Sequence, residues 1–65
     1  MNTYKVTFAN NTILSITATD NEYFFEGDTF YYEYGGYLIF AIFKTDTESV
    51  ALDKARALIA NKRKV

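Results

Sequence analysis

Gly35-Gly36 stands between two β-prone runs, Thr29–Tyr34 and residues 37–44. A Gly-Gly pair in that setting signals a two-residue hairpin, because a type I′ turn needs positive φ at both central positions. The turn sets an expected register: Tyr34 with Tyr37, Tyr32 with Ile39 and Phe30 with Ala41 on one face, and Glu33 with Leu38, Tyr31 with Phe40 and Thr29 with Ile42 on the other. Both faces are apolar. A strand with one wet face alternates; Leu38-Ile39-Phe40-Ala41-Ile42-Phe43 does not, so it reads as a strand buried on both sides.

A second hairpin precedes it. Tyr4, Val6 and Phe8 alternate with Lys5 and Thr7, and Leu14, Ile16 and Ala18 alternate with Ser15 and Thr17. A two-residue turn at Asn10-Asn11 pairs Phe8 with Ile13 and sets Leu14 against Thr7, which mixes the faces, and a one-residue slip is costly where one face is buried. A three-residue loop, Asn10-Asn11-Thr12, instead pairs Phe8 with Leu14, Val6 with Ile16 and Tyr4 with Ala18, and is the expected register. Asparagine tolerates the left-handed backbone such loops need. Between the hairpins, Tyr23-Phe24-Phe25 is expected to form a short strand or a turn folding over the end of the assembly, with a tight turn at Glu26-Gly27-Asp28.

The last third reads as a helix. Thr45 followed by Glu48 matches a capping box. Ala51, Leu52, Ala55, Leu58 and Ile59 form one apolar stripe at helical spacing, with alanine at its centre, so the helix can approach a sheet closely. One domain is expected over residues 1–65, with strands over 3–9, 13–19, 29–34 and 37–44 and a helix over 46–63. The fold class is α+β, mostly β: two antiparallel hairpins in a small SH3-like, partly closed barrel with the helix packed on it. This order resembles the layout of the small crenarchaeal chromatin proteins, which implies such a barrel. Those proteins carry lysines on the binding sheet, whereas the sheet half of this chain carries carboxylates.

Composition narrows the chemistry. The chain has 65 residues and neither cysteine nor histidine. Disulfides, thiolate metal sites and nucleophilic triads are thereby excluded, and the usual general base is missing. No enzyme activity, cofactor or metal is expected. The acidic segment from Asp20 to Asp28 lacks the ligand spacing of a calcium loop, since Tyr23-Phe24-Phe25 interrupts it. A chain this short buries only ~60% of the surface its unfolded form exposes; aromatic rings, 18% of the residues, compensate. The N-terminus lacks the pattern of a signal peptide, and the longest apolar run is short of the ~20 residues that span a bilayer, so a cytoplasmic location and no membrane contact are expected.

Charge is uneven beneath a net −1. Before Lys44 the only cation is Lys5, against Asp20, Glu22, Glu26, Asp28 and Glu33; cations dominate after it, ending in Lys62-Arg63-Lys64. Tyrosines flank the Gly-Gly tip, and Tyr31 and Tyr32 cannot both point inward. Exposed tyrosine beside carboxylates suits a protein surface, above all a basic one. The expected function is therefore that of a small non-catalytic protein-binding module, a monomer or homodimer, using Tyr23, Glu26, Asp28, Tyr32, Glu33, Tyr34 and Tyr37. Such chains look like the short inhibitors that phages and mobile elements direct at host proteins. The alternative is a barrel that binds single-stranded or duplex nucleic acid, with sheet aromatics stacking bases and the basic tail holding phosphates.

Overall fold

The turns dictate the strands. In a computed structural model that describes residues 2–20 and 23–63 (the side chains of residues 62 and 63 apart), Asn10 and Asn11 take φ of 54° and 59°, and Gly35 and Gly36 take 62° and 84°. Each pair closes a two-residue hairpin. The first joins β1 (Asn2–Ala9) to β2 (Thr12–Thr19), and the second joins β3 (Thr29–Tyr34) to β4 (Tyr37–Thr45). A helix, α1 (Glu48–Arg63), follows.

The hairpins lie side by side. β1 pairs antiparallel with β4, Val6 opposite Ala41 and Tyr4 opposite Phe43, which gives one four-stranded sheet in the order β2-β1-β4-β3. The sheet does not close. This corrects the partly closed, SH3-like barrel: the first hairpin extends the second at its edge and does not fold over its face, and four strands cannot enclose a packed interior as larger barrels do. The α+β class, mostly β, stands.

Both hairpins carry a bulge at the same distance from the turn, and both expected registers are corrected by it. In the first, Ala9 faces Thr12 and Phe8 faces Ile13; Leu14 is then the extra residue, and Thr7 faces Ser15 and Val6 faces Ile16. The loop has two residues, not three. The bulge resolves the face conflict that argued against a two-residue turn, because an extra residue on one strand restores the inward alternation of Val6 and Ile16. Leu14 is left 70% exposed. In the second hairpin Tyr34 faces Tyr37 and Glu33 faces Leu38, as expected; Ile39 is the extra residue, and Tyr32 then faces Phe40, Tyr31 faces Ala41 and Phe30 faces Ile42.

The bulge at Ile39 puts Leu38, Ala41 and Phe43 on one face with Val6 and Phe8. Ala51 and Ala55 of α1 sit against that face, all these residues being buried, with Tyr4, Ile13, Ile16, Leu58 and Ile59 packed around them. The helix crosses β2, β1 and β4. Ala41, Ala51 and Ala55 are buried in the same cluster, so small residues on both layers permit close contact. Central β4 is buried on both sides along Ala41-Ile42-Phe43, as its unbroken apolar run implied, although Ile39 is exposed at the bulge.

The helix begins later than its sequence signal. Thr45 is the last residue of β4 and is buried; the cap is Thr47, whose Oγ1 accepts a hydrogen bond from the Val50 amide at 3.3 Å. This corrects the Thr45–Glu48 capping box and the start at residue 46. Burial of Thr45 in the ladder opposite Asn2 outweighs its capping preference. Tyr23-Phe24-Phe25 forms neither helix nor strand.

Candidate functional site

Among the described residues no helix or strand covers the side of the sheet away from α1. Strand alternation puts Thr3, Lys5 and Thr7 of β1, Ser15 and Thr17 of β2, Phe40, Ile42 and Lys44 of β4, and Phe30, Tyr32 and Tyr34 of β3 on this open face. One half is hydroxylic, and Thr7 and Ser15 share a side-chain hydrogen bond. The other half is aromatic. Phe25 lies 5.7 Å from Phe30, Phe30 lies 6.2 Å from Phe40, and Phe40 stacks with Tyr32 at 5.8 Å, centroid to centroid. This row roofs Ile42, which is 1% exposed and yet lies outside the helix-side core.

Two lysines frame the rings. Lys5 Nζ stands 5.1 Å from the Phe40 centroid, and Lys44 Nζ 4.5 Å from that of Phe25. A cation over a ring face is attracted by the ring quadrupole, so both ammonium groups are held on this face. Phe30, Tyr32, Tyr34 and Tyr37 remain exposed.

The carboxylates go elsewhere. Glu33 is the single acid within the four strands. It lies on the helix side, where with Tyr31, Leu38, Leu58 and Asn61 it lines an open groove of about 210 Å³. Asp28 accepts a hydrogen bond from Thr29 Oγ1 at 3.1 Å and pairs with Lys54 of α1 at 3.5 Å. The Thr29 bond, then the Lys54 charge, hold its carboxyl below its usual value. A sheet surface carrying carboxylates is thus corrected: the open face has none from its strands.

Of the residues singled out from sequence, Tyr32, Tyr34 and Tyr37 share the open side around the Gly-Gly tip. Glu33 is on the opposite face, and Asp28 is tied to the helix. Tyr23 and Glu26 belong to the irregular segment leading into β3, Tyr23 half-buried and Glu26 exposed. Glu22, Lys64 and the side chains of Lys62 and Arg63, named for the acidic segment and the basic tail, lie outside the described residues. The sequence reading missed Lys5, Phe25, Phe30, Phe40 and Lys44 as one constellation. A signal for it existed in Ala41, the only small apolar side chain of β3 and β4, which marks the face a close-packed helix must take.

No family model matches the chain. No curated protein and no solved structure matches it. Among the described residues no helix is long and apolar enough to cross a membrane.

Proposed function

We propose that the chain is a small non-catalytic protein-binding module whose contact surface is the open face of the sheet, centred on Phe30, Tyr32 and Phe40 and continued by Tyr34 and Tyr37. One observation carries this reading: Phe30, Tyr32, Tyr34 and Tyr37 stay exposed around a half-buried Phe40, on a face that no helix or strand among the described residues covers. Aromatic side chains, tyrosine foremost, dominate the energetics of protein contacts, because each presents a large rigid area at low entropic cost. A strand face also offers them pre-ordered. The partner surface that fits is an apolar patch bordered by acceptors for Lys5 and Lys44. Of the carboxylates on which a basic partner surface would rely, Glu33 is on the helix side and Asp28 is paired with Lys54 of α1. A module of this kind acts by occlusion, covering a working surface of its partner, which is the mode of a small inhibitor or regulator.

A second reading, single-stranded nucleic acid stacked on the same rings, is favoured by Lys5 and Lys44 seated beside them. Against it, two lysines neutralise few phosphates, and the affinity of such surfaces rests on many. The tagged protein, exposed to a bacterial lysate with and without nuclease, separates the two. A protein retained in both conditions and lost with Tyr32→Ala and Tyr34→Ala, each still folded by circular dichroism, supports the module. Retention that disappears with nuclease favours nucleic acid. Retention unchanged in both variants refutes the open face as the surface.

A further inference from the structure

We propose that the free edge of β3 pairs antiparallel with the same strand of a second copy, forming a symmetric dimer with one continuous eight-stranded sheet. β3 ends the sheet, and among the described residues β4 is its one strand partner. The Lys44 amide donates to the Asp28 carbonyl at 2.9 Å, which makes Asp28 and Lys44 a bonded pair. Bonded and non-bonded pairs alternate along an antiparallel ladder, so Phe30 and Tyr32 bond inward to β4 and the main-chain groups of Thr29 and Tyr31 point outward.

Edges like this are normally blunted by lysine, proline, a bulge or a covering element. β2, the other edge, has the Leu14 bulge and lies under α1. Among the described residues no helix or strand covers β3, and its one charge is Glu33. The strand is TFYYEY, without bulge, proline or cation, and α1 passes over β2, β1 and β4 but not over it. Phe30, Tyr31 and Tyr32 are each 42–45% exposed along it.

The sequence of β3 selects both the occupant and the register. Residues facing each other across an antiparallel pair must point to the same side of the sheet. The register that centres on Tyr31 meets this and sets Tyr31 against the second copy's Tyr31, so that the outward main-chain groups of each meet the other's. On the open side it sets Phe30 against the second copy's Tyr32, an aromatic cross-strand pair of the favourable kind, made twice by symmetry. On the helix side Thr29 faces the second copy's Glu33. The register centred on Tyr32 engages the outward main-chain groups of Tyr31 and Glu33 but leaves Thr29 without a strand partner, and the register centred on Glu33 sets the two Glu33 carboxylates directly opposite, which is destabilising. The Tyr31 pair also fills the uncovered strip between the two helices, over the groove that Tyr31, Leu38 and Leu58 line.

The test uses sedimentation equilibrium of the intact chain over a concentration series, together with cysteine crosslinking. The chain contains no cysteine, so one introduced thiol reports alone. The expected mass climbs from one chain to two, and Tyr31→Lys, with an unchanged circular dichroism spectrum, holds it at one. Tyr31→Cys places two thiols on Cα atoms about 5.5 Å apart across the seam, inside the range a disulfide spans. It is therefore expected to crosslink to a covalent dimer at least tenfold faster than Thr17→Cys on the other edge. A mass of one chain at every concentration overturns the proposal, whatever the variants do. A dimer in which Tyr31→Cys crosslinks no faster than Thr17→Cys overturns it too, since the contact is then elsewhere. Neither readout depends on capture of a protein partner, so the dimer and the contact face proposed above fail separately.

Discussion

Replacing Asn11 by glycine sets two effects of known sign against each other. Asn11 occupies the second central position of a type I′ turn with φ of 59°. Asn-Gly is the favoured sequence for such a turn, so turn chemistry alone predicts that Asn11→Gly stabilises. Relief of left-handed strain is worth under about 1 kcal/mol for asparagine, which tolerates that region better than other L residues. The side chain does something else as well. Its Oδ1 accepts a hydrogen bond at 3.0 Å from the Leu38 amide, 27 residues away and partly buried. Leu38 sits just before the bulge at Ile39, beyond the last β1–β4 pair, Thr7 with Phe40. Asn11 thus supplies the acceptor that a continued strand would have given. Leaving a buried donor unsatisfied costs about 1–3 kcal/mol. The balance predicts net destabilisation of about 1 kcal/mol, a fall in Tm of roughly 4–8 °C in a domain of this size. Asn10→Gly is the control: its φ is nearly the same, 54°, and it is expected to be neutral or stabilising. Urea denaturation followed by circular dichroism, with calorimetry for Tm, measures both. Equal or stabilising effects at the two positions would refute the claim that the Asn11–Leu38 bond ties the hairpins together.

Two further outcomes follow from the local chemistry. Thr47→Ala removes the oxygen that caps α1 at the Val50 amide and is expected to cost about 0.5–2 kcal/mol, read as a lower urea midpoint; an unchanged midpoint would mean that Thr47 is not the cap. The lowered carboxyl of Asp28 contributes stability that is present above the usual carboxylate value and lost as pH falls through its depressed folded value. The gap between wild type and Asp28→Asn in thermal scans therefore narrows on acidification below that range, and a gap constant with pH would contradict the Thr29 and Lys54 contacts as its source.

The fold was legible where period and turn chemistry agree. Both hairpins, the apolar stripe of α1 and the burial of β4 on two sides all follow from spacing. The bulges did not, and the reason is physical. A period-2 pattern records which residues point inward but not whether an unpaired residue interrupts the ladder, and two different loops satisfied the same alternation of Val6, Ile16, Phe8 and a partner. For the first hairpin, the real solution combines the rejected turn with the preferred pairing beyond it. Closure was equally illegible, because the contact of β1 with β4 joins residues far apart in sequence through backbone bonds that any side chain can make.

The position of the contact face depends on those bulges. Without the extra residue at Ile39, Leu38, Phe40 and Ile42 would share one side and Ile39, Ala41 and Phe43 the other. With it, Leu38, Ala41 and Phe43 line up beneath the helix, and Phe40 and Ile42 join Phe30 and Tyr32 on the open side. Ala51 and Ala55 share the buried cluster with Ala41 and let the helix backbone come close; a larger side chain in place of Ala41, which is 0% exposed, would overpack the core at about 1–3 kcal/mol. Ala41 permits that approach, so the helix takes its side, and Phe40 is left on the other with Phe30 and Tyr32. The exposed aromatic row and the closely packed helix are thus two consequences of one choice. The same choice sends Glu33, opposite Leu38, away from the rings, which is why a surface read from sequence as acidic and aromatic divides in the folded chain into an aromatic face with lysines and a carboxylate on the helix side.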